Sequence, residues 1–207
     1  KLFAKFASSA SVPSRIGGAD RYETSARIAG ILASCTEWAV VVSGTSYPDA
    51  LSANFLAGSL TASAGFAYKV PVLSVATGSL PASIVAYLTA AGVKNVYVVG
   101  GNAAVSDAVV TALQGVAATK CAGANAGNSS NPGSSQKVKV VRVAGADRYA
   151  TNQAVIALGA QTFPGTRNIL QLETQQTGKR TAIVATGASF ADALAAGPAS
   201  YNGIPLI

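Results

Sequence analysis

Short runs of nearly unbroken hydrophobic residues alternate along the chain with longer, mixed stretches. The runs are WAVVVS (38–43), VPVLSV (70–75), NVYVVG (95–100), VKVVRV (138–143) and TAIVAT (181–186). Each has the length and the β-branched content of a strand covered on both faces. The stretches between them predict helices at 21–34, 48–59, 80–91, 104–114, 148–159 and 190–200. Asp20 stands where the first helix needs an N-cap, and Glu23 three residues on completes a capping box. Pro48 and Pro81 fall where a first helical turn tolerates proline. Strands alternating with helices predict an α/β fold of parallel-sheet βαβ units, with the strand order left open.

The chain also repeats itself. RIGGADRYET (15–24) returns as RVAGADRYAT (142–151), with seven of ten positions identical at an offset of 127. GTSYPDALSA (44–53) returns as GASFADALAA (187–196), with six of ten identical at an offset of 143. The offset grows because the second copy carries 16 more residues around QTFPGTRNILQLETQQTGKR. KVPVLSV (69–75) has a weaker echo in GIPLI (203–207). The chain therefore reads as an N-terminal segment (1–14), one complete repeat (15–141) and the opening of a second (142–207). Within the first, TKCAGANAGNSSNPGSSQK (119–137) breaks the alternation and predicts a flexible insertion. Asn128-Ser129-Ser130 inside it has the form of a glycosylation sequon.

Composition narrows the chemistry. The chain has no histidine, which excludes Ser-His-Asp and Cys-His catalysis and every His-ligated metal site. Two cysteines cannot fill a structural zinc site. Neither a Gly-x-Ser-x-Gly elbow nor a complete Gly-x-Gly-x-x-Gly turn is present, and nothing fixes Asp20 and Asp49 at the spacing of a hydrolase carboxylate pair. The expectation is a protein that is not an enzyme and needs no cofactor or metal. Cys35 follows the first helix and Cys121 the fourth, so both can lie at one edge of the sheet. They are either a disulfide or two separate thiols. A bridge would close a loop of about 86 residues, worth about 4 kcal/mol, and would place the chain in an oxidising compartment.

Fifteen Lys and Arg against eight Asp and Glu give a formal charge of +7. The charge is spread evenly between the two halves and no basic run exceeds two residues, which argues against a nucleic-acid partner. No apolar stretch is long enough for a membrane span. A diffuse positive surface suits a polyanion or simple solubility. In the first repeated pattern Arg15, Gly18, Asp20, Arg21, Tyr22 and Thr24 correspond to Arg142, Gly145, Asp147, Arg148, Tyr149 and Thr151. Asp49 and Asp192 correspond in the second, at helix starts. The aspartates suit caps, the glycines turns and the tyrosines packing; the arginines either lock the corner or contact a phosphate or carboxylate. Gly100 and Gly101 suit a tight strand-to-helix turn or a weak anion site.

Together these patterns resemble the cell-wall-binding repeat 2 family of Gram-positive surface proteins. Its hallmarks are similar to R-I-x-G-x-D-R-Y-x-T, G-x-x-[FY]-x-D-A-L-x-A, P-[IV]-L and V-x-[IV]-V-G-G-x-x-x-V-S, all found in order within 15–106. The resemblance implies a secreted, non-catalytic module, at the cell wall or extracellular surface, that anchors a surface protein to an anionic wall polymer. On that reading Arg15, Arg21, Arg142 and Arg148 are the ligand contacts. An alternative is a structural subunit of an S-layer or filament that associates with further copies of itself.

Overall fold

The computed structural model describes residues 15–64, 68–119, 121, 136–160, 182–188, 191–202 and 204–207. The elements in chain order are α1 (Arg21–Leu32), β1 (Trp38–Ser43), α2 (Tyr47–Ser63), β2 (Val72–Val75), α3 (Ala82–Ala91), β3 (Asn95–Val99), α4 (Asp107–Gly115), β4 (Lys139–Val143), α5 (Arg148–Ala160), α6 (Ala191–Ala195) and α7 (Gly197–Tyr201). The four strands form one all-parallel sheet in the order β2-β1-β3-β4. This is the α/β class that the alternation predicts.

Side chains alternate across the sheet, and that alternation builds two cores. Val41, Leu73, Val75, Val96 and Val98 pack with Ala26 and Ala29 of α1, Ile84 and Leu88 of α3, and Val109 and Leu113 of α4. Val40, Val42, Val99 and Val143 pack with Ala53 and Leu56 of α2 and Val155 of α5. Both faces of the sheet are covered, which is why the strands read as unbroken apolar runs.

α5 belongs to the second repeat by sequence yet lies along α2 of the first. A Cβ on Gly159 would stand 2.7 Å from the Phe55 ring, so α5 and α2 meet closely. α7 also lies on α2, where Gly58 passes so near Tyr201 that a Cβ would sit 1.7 Å from its carbonyl oxygen. β4 straddles position 142, where the second copy of the pattern begins, and pairs with β3 from Asn95↔Lys139 to Val99↔Val143.

Two expectations differ from the structure. The strand at 181–186 is reduced, among its described residues, to one parallel bridge between Ile183 and Leu206. Three backbone bonds carry this short pairing: Ile183 N–H donates to the Pro205 carbonyl (2.9 Å), Ile207 N–H to that of Ile183 (2.7 Å) and Ala185 N–H to that of Ile207 (2.9 Å). The helix at 190–200 is split into α6 and α7, because Pro198 cannot donate to the preceding turn. Arg15 is in no secondary structure. The insertion at 119–137 is pinned at its base by Ala118 N–H donating to Gln136 (2.8 Å) and an Ala117↔Lys137 bridge; its sequon and residues 1–14 lie outside the described residues.

Candidate functional site

The repeated polar residues gather at the carboxyl ends of the strands. In the first corner, Asp20 caps α1 by accepting from Glu23 N–H at 2.7 Å. Glu23 returns the bond one residue earlier than a standard capping box, at Ala19 N–H (2.6 Å). That bond and, after it, the Arg27 guanidinium hold the Glu23 carboxyl below its usual pKa. Gly18 N–H donates to Thr24 Oγ1 at 2.9 Å, and a Cβ on Gly18 would lie 2.6 Å from Glu23 Cβ. Arg21 Nη1 donates to the carbonyl of Gly44, just beyond β1, at 2.7 Å.

The second corner repeats these bonds. Asp147 accepts from Ala150 N–H at 2.8 Å, Gly145 N–H donates to Thr151 Oγ1 at 3.0 Å, and Arg148 Nη1 donates to the Gly187 carbonyl at 2.9 Å. A Cβ on Gly44 or on Gly187 would stand 2.7 Å from the Tyr22 or Tyr149 ring respectively. Arginine and tyrosine thus clasp the opening glycine of the second repeated pattern. Sequence reasoning passed over Gly44 and Gly187, although their recurrence in both copies was the available signal.

Between the corners stands a third cluster. Arg142 donates through Nη1 to the Gly100 carbonyl (2.7 Å) and through Nη2 to Asp107 Oδ1 (2.9 Å). Gly100 has φ +119°, and a Cβ there would lie 2.7 Å from Asp49 Oδ2. Asp49 is only 9% exposed, and burial raises its carboxyl pKa while the Arg148 charge pulls it back. This point, between β1 and β3, is where the strand order reverses, the usual place for ligands in such sheets.

Other candidates stand apart. Arg15 is exposed and has no hydrogen bond or ion pair among the described residues, unlike its counterpart Arg142. Asp192 is exposed where Asp49 is buried, because no β3-type turn covers it. Gly101 has nothing within 4 Å of its Cβ direction. Cys35 and Cys121 form a disulfide at the opposite rim, with Cα atoms 5.6 Å apart.

Two concavities adjoin these corners. One, about 550 Å³, runs between α1 and β2, the outermost strand among the described residues, lined by Ile28, Leu32 and Val72 and reached by Tyr201. The other is a cleft of about 80 Å³ between α2 and α5. Among the described residues no group of three or more His, Cys, Asp or Glu could hold a metal ion. No helix among them is long and apolar enough to cross a membrane.

The family model for cell wall binding domain 2 (CWB2) matches residues 15–110 and 142–207. N-acetylmuramoyl-L-alanine amidase LytC of Bacillus subtilis (strain 168) is 30% identical over 195 residues, covering 93% of this chain and 30% of that protein. Two solved structures from Clostridium difficile share the fold. Cwp6 aligns over 97% of this chain and 27% of its own, with a TM-score of 0.63 at 20% identity. Cwp8 aligns over 93% and 26%, with a TM-score of 0.58 at 26% identity. The chain spans less than a third of each of these proteins.

Proposed function

We propose that this chain, which belongs to the cell wall binding domain 2 (CWB2) family, is a non-catalytic module that anchors a protein to the cell wall by non-covalent binding of an anionic wall polymer. The observation that carries this reading is the family match across both copies of the repeat. Three further facts support it. The net charge is +7 and no histidine is available for acid-base work. The same arginine-bearing corner is built twice on one rim, so two weak contacts act together. Arg21 and Arg148 are both exposed, and each gives Nη1 to a carbonyl.

Sedimentation with purified walls tests it. Binding weakens strongly between about 0.05 and about 0.5 M salt if the partner is a polyanion. Binding that ignores salt, or that survives removal of the anionic polymer from the wall, refutes the mechanism. Release of soluble wall fragments by the purified chain would overturn the non-catalytic reading.

A second reading, self-association in a surface array, is favoured by one comparison within the chain. Ile28, Ile31 and Leu32 of α1 are exposed. Their counterparts in α5 are Val155 and Gly159, both buried, and Leu158, packed into the α2 core. On this reading the α1 face receives the α2-type helix of another unit of the same fold. Sedimentation velocity without polymer checks it: Ile31→Lys abolishes any assembly that uses this face.

A further inference from the structure

The two concavities are one groove of the repeat, open in the first copy and filled in the second. In the first repeat Arg21, Ser25, Ile28, Leu32 and Val72 line a volume of about 550 Å³ between α1 and β2. The matching positions of the second repeat are Arg148, Asn152, Val155, Gly159 and Leu206. There α2 lies along α5, and about 80 Å³ is left. Ile28 and Leu32 are 40% and 66% exposed where Val155 and Gly159 are buried. The chain itself thus displays what fits this groove. It is the face of α2 that carries Pro48, Leu51, Ser52 and Phe55.

That face also occurs twice, and its second occurrence is bare. Ala191, Leu194, Ala195 and Pro198, in α6 and α7, stand at the positions of Pro48, Leu51, Ser52 and Phe55. All four are exposed, Leu194 by 58%. Each chain therefore presents one open groove and one bare face of the kind that fills it. The sizes correspond. The filled contact sets Gly159 against the Phe55 ring, and the unmade one pairs Leu32 with Pro198, so the bulk changes sides. The charges correspond too. Arg148 acts on Asp49 in the filled contact. Their counterparts, Arg21 on the open groove and Asp192 on the bare face, are both exposed and of opposite sign.

We infer that copies of this chain associate head to tail, the α6–α7 face of one entering the α1–β2 groove of the next, with Leu194 in the groove and Asp192 near Arg21. The inference rests on the surface-array reading and names the two faces that meet. Groove and face are different surfaces, so the contact is heterologous and leaves a groove and a face at which further chains add.

Sedimentation velocity of the full chain, up to roughly millimolar concentration, tests it. The wild type grows past the dimer as concentration rises. Leu32→Lys blocks the groove and Leu194→Lys the face; both side chains are exposed, so urea midpoints stay at the wild-type value. Asp192→Arg, also at an exposed position, serves as a second block of the face. Each variant alone is monomeric. Mixed one to one, a groove variant and a face variant form a dimer at least roughly tenfold tighter than either forms with itself. That dimer grows no further, because its remaining groove and face are both blocked. A mixture that stays monomeric refutes the head-to-tail contact. So does a Leu194→Lys chain that assembles like the wild type, which means that grooves meet each other; in both cases the array reading stands. A wild-type chain that is monomeric throughout sinks that reading as well.

Discussion

Replacing Cys35 and Cys121 together by serine removes the one covalent tie between the first βα segment and the base of the insertion. The bridge spans 86 residues of sequence. In the chain-entropy model, a loop of that size restricts the unfolded chain by about 15 cal/mol/K, or about 4.5 kcal/mol at 25 °C. Cys35 and Cys121 are each 3% exposed, and Tyr87 beside them donates to the Ala33 carbonyl at 2.7 Å, so the native geometry persists without the bond. A protein of this length gives up roughly 2–4 °C in Tm per kcal/mol, which predicts a drop of roughly 9–18 °C. Thermal denaturation of the double variant, and of the wild type with and without reductant, measures the Tm shift, and urea denaturation measures the loss in free energy. The variant and the reduced wild type lose the same stability. A loss below about 1 kcal/mol, with the bridge verified by thiol titration, refutes the entropic account and means that the reduced unfolded chain is already constrained.

Three further outcomes follow from single contacts. Gly100→Ala places a side chain at φ +119° and against Asp49, and costs about 2–3 kcal/mol by urea denaturation, while Gly101→Ala, with open space, stays within about 0.5 kcal/mol. Asp49→Asn flattens a pH dependence. Because the folded carboxyl has a raised pKa, the native state holds its proton longer, and wild-type stability falls as pH rises from about 4 through the raised value; parallel urea-midpoint profiles for the two proteins contradict this. Gly58→Ala drives a methyl into the Tyr201 carbonyl and unseats α7 from α2, for a loss of about 3 kcal/mol and a separate early transition in tyrosine fluorescence.

The sheet was legible because its strands are buried on both faces and so announce themselves as apolar runs. The strand order was not, since nothing local says that β1 sits between β2 and β3. α2 runs to Ser63, beyond the predicted end at 59, because apolar burial continues through Leu60 and Ala62. Its counterpart in the second copy breaks instead, since Gly197-Pro198 stands where the first copy has Asn54-Phe55. The disulfide was readable as one of two options, and the helix ends at the strand amino termini bring the pair together. At the candidate site the polar corners were visible as repeated letters, but their bonds were not. Arg21 reaches a carbonyl 23 residues away and Arg148 one 39 residues away, distances that only the folded chain closes.

The position of β4 bears on how such proteins can be rearranged. The letters of the second copy begin at Arg142, yet that residue is already knitted into the earlier sheet and clamps the turn at Gly100. Exchange of segments between relatives at the letter boundary would sever a hydrogen-bonded ladder and strand half a clamp on each side. A crossover placed just after Val143, downstream of the strand, would carry ladder and clamp across intact. Shuffled libraries cut at the two places should therefore differ sharply in soluble yield, and the heritable cassette of this architecture is offset from its visible sequence period.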